Sequence, residues 1–138
     1  MATNAINEQA TFDLASFDAG VVQENVVNIV HPSTGAPLGI TIKVISPDSE
    51  KYRKLSNRTR NRSINAVKKG KNSLTAEMMD ENAMELLVGS VLSWEGVTWA
   101  GQVMECNEVN VRSVFTKFPW IKEQVDEFLG DRANFIKG

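Results

Sequence analysis

The sequence predicts an α+β fold in which an N-terminal β-hairpin packs on about four α-helices. Three observations predict it. Leu38, Ile40, Ile42 and Val44 alternate with Gly39, Thr41 and Lys43, the period of a half-buried strand. The second half of the chain carries apolar residues at helical spacing. The 138 residues are enough for one domain with a sizeable core, at 42% hydrophobic and 23% charged residues.

Residues 1–20 read as a loosely ordered arm, with Ile6, Phe12, Leu14 and Phe17 scattered without a long period. A single domain is expected over 21–138, with the hairpin at 22–45. Its first strand, Asn25 to His31, is apolar at Val26, Val27, Ile29 and Val30, which leaves its register open. Pro32-Ser33-Thr34-Gly35-Ala36-Pro37 forms the turn, since Pro32 presets φ and Gly35 permits positive φ. Two strands alone are marginal in water, so helices must cover one face.

Four helices are expected, at about 48–69, 76–92, 110–116 and 119–136. The first starts at Ser46-Pro47-Asp48-Ser49-Glu50, with a capping side chain, a first-turn proline and acids near the positive end of the helix dipole; Gly70 stops it. Its middle, Arg58 to Ser63, holds no large apolar residue, so it bridges solvent or depends on a partner. Thr75 caps the second. There Met79, Ala83, Leu86, Leu87 and Val91 share one face, which places Met79 in the core. Trp94-Glu95-Gly96 begins a loop and Val97-Thr98-Trp99 forms a short extended piece. Asn110 caps the third helix. Pro119 suits the first position of the fourth, whose stripe is Ile121, Val125, Phe128 and Leu129 and continues to Phe135 and Ile136. Gly130 in that helix marks a place where it can break.

The net charge of −2 hides a segregation. Residues 51–71 carry nine basic side chains and no acid, whereas 1–50 and 72–138 sum to −5 and −6. Arg53, Lys54, Arg58, Arg60 and Arg62 on the basic helix are therefore candidate partner-binding residues. Three readings stand for them: a protein partner or a second copy, a solvated face, and phosphate contacts to nucleic acid. Nucleic acid is disfavoured, because only Tyr52 offers a stacking ring nearby and the whole chain is acidic. Trp120 and Phe135, at the two ends of the last helix, are the other partner-facing candidates. Trp94, Trp99 and Trp120 each have core packing as the commoner role and an interface as the alternative.

No enzyme is expected. One histidine and one cysteine offer no convergent metal or catalytic set, and the glycines match no phosphate loop. His31 suits a turn and Cys106 an inert thiol. No cofactor is implied. No apolar run approaches the ~20 residues of a membrane span, and no signal-peptide pattern opens the chain, so a cytoplasmic setting is expected.

Several motifs together resemble the tail assembly chaperones of long-tailed bacteriophages and prophages. They are the His31-Pro32-Ser33-Thr34-Gly35 turn before a strand, Pro47-Asp48-Ser49 leading to Tyr52-Arg53, and Trp94 after the central helix. The most specific is Pro119-Trp120-Ile121 with Gln124-Val125-Asp126, Phe128 and Arg132-Ala133-Asn134-Phe135. The resemblance covers roughly residues 24–136 and departs from the pattern at Cys106–Asn110, where a Thr-Pro or Ser-Pro start is usual. It implies a non-enzymatic assembly factor of the host bacterial cytoplasm. Such a factor binds the helical tape measure protein while tail tube protein polymerises around it, and is absent from the finished virion. The charge split further suggests that copies self-associate or coat the client in series. A structural virion protein of the tail or neck, and a nucleic-acid-binding regulator using 51–71, are the competing readings.

Overall fold

The structure is a computed structural model describing Leu14, residues 24–68 and residues 75–135. Along the chain it runs β1 (Glu24–Val30), β2 (Pro37–Ile45), α1 (Glu50–Lys68), α2 (Ala76–Ser90), β3 (Val91–Glu95), β4 (Thr98–Trp99), β5 (Gln102–Val103), α3 (Glu108–Lys117) and α4 (Pro119–Leu129). A short 3-10 turn, Arg132–Asn134, follows. The fold is α+β: a three-stranded antiparallel sheet with strand order β1-β2-β3, combined with four helices among the described residues. The expected arm, with Ile6, Phe12 and Phe17, lies outside the described residues apart from Leu14, which is exposed. Lys69, the Gly70 stop, Lys71 and Ile136 lie outside them too.

The hairpin forms where the turn residues require it. His31 accepts through Nδ1 from the Ser33 and Thr34 amides (3.1 and 3.3 Å), and Gly35 takes φ +73°. Pairing of Val27 with Ile42 fixes the register that the sequence left open, and puts Val27, Ile29, Ile42 and Val44 on the covered face. Val26, the apolar neighbour that spoils the alternation, points to the other face and is exposed. Gln124 of α4 closes the end of the β1 edge. Its Nε2 donates to the Val30 carbonyl (2.9 Å), and its Oε1 accepts from the Val30 amide (3.0 Å). This amide stands in for a strand partner and blunts that edge.

The expected loop at Trp94-Glu95-Gly96 is instead the end of the third strand. β3 follows α2 with no turn residue between them, and Ile42 pairs with Trp94. The strand ends at Glu95, and Gly96 after it takes φ +79°, where a Cβ would overlap the Gly39 carbonyl oxygen. Only glycine permits that approach.

The helix starts are set by local side chains. The expected capping side chain of α1 is that of Ser49, whose Oγ accepts from the Tyr52 amide (3.2 Å), but Pro47 sits in the preceding turn and not in the first turn of the helix. Asn107, not Asn110, caps α3, accepting from the Asn110 amide at 2.8 Å. Thr75 caps α2 as expected, and Pro119 opens α4 as expected. The last helix does not run to 136. It ends at Leu129, and Gly130 is its C-cap.

α3 and α4 cover the sheet with Val111, Val114, Phe115, Ile121, Val125 and Leu129, joined by Leu87 and Val88 of α2. Each such side chain contributes about 1.5–3 kcal/mol when fully buried. The expected α2 stripe splits. Leu87 is buried and Val91 packs against the core, but Met79 and Ala83 are exposed. The stripe lies on one face of α2, and the core covers its C-terminal end and leaves the start of the helix open. No helix among the described residues is long and apolar enough to cross a membrane.

Candidate partner-binding surface

Met104 is the root of a small projecting hairpin. Its amide donates to the Val97 carbonyl (2.9 Å), and its carbonyl accepts from Nε1 of the buried Trp94 (2.8 Å). From this root β4 and β5 pair as Thr98 with Val103 and Trp99 with Gln102. Ala100 and Gly101 make the two-residue turn, both left-handed at φ 50° and 82°. Such a turn matches the twist of a hairpin, but an alanine there carries strain of about 1 kcal/mol or more. The strained, anchored turn holds Trp99 outward at 52% exposure, beside an exposed Val103.

Trp99 leans on the junction of α3 and α4. Its ring centroid lies 6.3 Å from Phe118, which in turn meets Trp120 edge-on at 6.2 Å. Phe118 is placed there because it ends α3, donating its amide to the Val114 carbonyl (2.8 Å), immediately before Pro119 opens α4. Lys117 Nζ sits 4.7 Å above the Trp99 ring, a cation–π contact. The three rings form a ridge with a groove on each side, of about 400 and 270 Å³. Met104, Val114 and Phe118 line both grooves. The first is rimmed by Lys117 and Glu105, and Leu38 and Ile40 of β2 extend the second. Large aromatic area beside grooves of this kind suits a protein or peptide ligand.

Of the residues singled out from sequence, Trp120 belongs to this ridge. Trp99, for which core packing was the commoner expectation, is its most exposed ring, and Phe118 went unnoticed. The signal was present in Phe118-Pro119-Trp120, but only the tertiary fold brings Trp99 to it. Phe135, expected to face outward, is 3% exposed and packs edge-on against Phe128 at 5.5 Å. It is held there because Asn134 Nδ2 donates to the Phe128 carbonyl (3.0 Å), which folds the 3-10 turn back on α4.

The basic residues are elsewhere, on α1, and are not all free. Arg62 is bound to Glu85 (2.5 Å) and donates to Asn82 Oδ1 (3.2 Å). Lys54 pairs loosely with Glu50 at 3.6 Å. Arg58 lines a small cavity with Cys106 and Glu108. Arg53, Arg58 and Arg60 are exposed and make no ion pair with another described residue. The hydrogen bond from Arg62, followed by the charges of Arg62, Arg58 and Arg112, holds the Glu85 carboxyl below its ordinary range against the opposing effect of burial. Arg132 does the same to Asp48, binding it at 2.7 Å.

His31 serves the hairpin turn, and burial pushes the Cys106 thiol up, which disfavours the nucleophilic thiolate. Among the described residues no three His, Cys, Asp or Glu side chains come together to hold a metal. Comparison with protein-family models, with curated proteins and with solved structures finds no match to this chain.

Proposed function

We propose that this chain is a non-enzymatic tail assembly chaperone of a long-tailed phage or prophage, acting in the host bacterial cytoplasm. In this reading it holds a tape measure protein in solution until tail tube protein polymerises around it. One observation carries the reading: the Trp99–Phe118–Trp120 ridge, with Trp99 exposed and the other two rings half-buried, and its two flanking grooves. A long helical client offers apolar residues at i, i+3, i+4 and i+7, the pattern that fits an apolar groove. Aromatic side chains carry large apolar area, and the exposed half of Trp99, with the uncovered edges of Phe118 and Trp120, is the area left for a weak, repeated contact. Trp120 of the Pro119-Trp120-Ile121 motif, which carries the family resemblance, belongs to the same ridge.

Co-expression with a phage tape measure protein is the test. The wild-type chain should bring the client into the soluble fraction and co-purify with it. A Trp99→Ala, Phe118→Ala double variant should lose both while its far-UV spectrum stays native. A client equally insoluble with and without the wild-type chain overturns the proposal. Recovery of the chain in purified particles in stoichiometric amount would instead favour a structural virion protein.

A further inference from the structure

α1 and α2 form an antiparallel pair whose contact line is fixed by Ser63 against Asn82 and by Leu55 against Gly89. Arg62 and Glu85 close one side of that line. On the other side both helices present exposed positions at heptad spacing. On α1 these are Arg53, Asn57, Arg60, Ile64 and Val67, and on α2 Ala76, Met79 and Ala83, with Leu86 half-buried. In an antiparallel pair, positions rotated the same way from the contact line fall on the same side, so the two rows lie next to each other. Ile64, Val67 and Met79 are 44%, 59% and 58% exposed. The charges on these two rows are those of Arg53 and Arg60, both positive.

We propose that this strip is a second docking surface and that its occupant is an acidic amphipathic α-helix of a partner protein. Its apolar residues would seat on Ile64, Val67 and Met79 and its carboxylates would meet Arg53 and Arg60. The heptad spacing of the strip fits a third helix laid along the pair. The two charges on the rows are positive, with Asp80 at the flank of α2, and they favour an acidic helix over a basic one, because a like charge at an interface is penalised. An unbranched methionine adapts to the occupant's side chains. Two cations and three aliphatic residues suit a helix better than a phosphate backbone, which needs a longer row of cations. This inference does not depend on the chaperone reading, which uses the aromatic ridge.

Fluorescence anisotropy tests it with a labelled synthetic helix of about 18 residues, long enough to span α1, bearing leucines at heptad spacing flanked by glutamates. A twin carries lysines in place of the glutamates. The glutamate probe should bind the wild-type chain at least about tenfold more tightly than the twin. Ile64→Asp and Met79→Asp should each weaken it by about tenfold, a loss of about 1.4 kcal/mol, and both substitutions are at exposed positions. Arg53→Glu with Arg60→Glu should reverse the preference between the probes, a gain that misfolding cannot produce. Trp99→Ala should leave binding unchanged. Equal binding of the two probes, survival of binding in Met79→Asp, or its loss in Trp99→Ala overturns the proposal. So does self-association of the wild type that Ile64→Asp abolishes, which would assign the face to a second copy. Tighter binding of phosphatidylserine vesicles or of a DNA oligonucleotide at the same residues overturns it as well.

Discussion

The sheet with α3 and α4 and the pair α1–α2 are held together by different forces. Phe115, Val125, Ile42 and Val44 in the first region are essentially sealed from water. α1, in contrast, meets α2 through Thr59, Ser63, Ala66 and Asn82, with Leu55 tucked against Gly89. Asn82 Nδ2 donates to Ser63 Oγ (3.0 Å) while its Oδ1 accepts from Arg62 (3.2 Å), and Arg62 also holds Glu85. Burial of apolar area is non-directional and scales with the area removed from water. A buried polar network works only when every member is satisfied. The first region is therefore robust to conditions and intolerant of lost volume. The second tolerates surface change and is sensitive to geometry, pH and salt.

Removing volume from the first region should have the largest effect. Phe115→Ala should cost about 3–5 kcal/mol, read as a lowered urea midpoint at constant m-value. A cost below about 1 kcal/mol, the size of an average substitution, would mean that apolar packing does not close this region. Breaking the polar network should cost less and act locally. Asn82→Ala leaves the Ser63 hydroxyl without its donor and Arg62 without one acceptor. It should cost about 1–2 kcal/mol, and hydrogen exchange should accelerate in α1 and α2 while the sheet stays protected. Uniform acceleration across both regions would erase the distinction.

A smaller effect again comes from pH. The folded-state pKa values of Asp48 and Glu85 are depressed, each mainly by a hydrogen bond from arginine. Their stabilisation is therefore fully present above the unfolded carboxylate pKa of about 4 and is lost as pH falls through the folded values. Both pairs are partly exposed, so added salt weakens them in the same direction. Exchange protection in α1 should fall first on acidification, before that of β2. Simultaneous loss would show that these bridges do not hold α1 in place.

The two regions also differ in how well the sequence describes them. Pro119 and the stripe Ile121, Val125 and Leu129 announce α4 and its buried face, because a proline at a helix start and a covered stripe are both local signals. The His31–Gly35 turn is legible for the same reason. β3 is not, because Ser90 passes directly from helix to strand and Val91 fits either pattern. The ridge is half legible: Phe118 and Trp120 are neighbours in sequence, but Trp99 joins them only through the β4–β5 hairpin. Phe135 continues the period of α4 on paper, yet Gly130 ends the helix, and the chain folds back to bury the ring.

Met79 is the sharpest case, because an apolar stripe looks the same whether the rest of the chain covers it or leaves it open. Met79 and Leu87 lie eight residues apart on α2, within one apolar pattern. Leu87 is buried in the core, and Leu87→Ala should cost about 2–5 kcal/mol. Met79 stands out in solvent, so Met79→Ser should change stability by no more than about 0.5 kcal/mol. A few tenths of that come from the lower helix propensity of serine. Both variants can be compared in one urea titration series. A cost above about 1 kcal/mol for Met79→Ser would mean that the side chain is covered in solution, and the exposed strip on α1–α2 would not exist. A neutral result, joined to loss of the acidic probe in Met79→Asp, would separate the two regions by purpose. The stripe next to the sheet would be apolar because folding requires it, and the stripe beside α1 because a partner does.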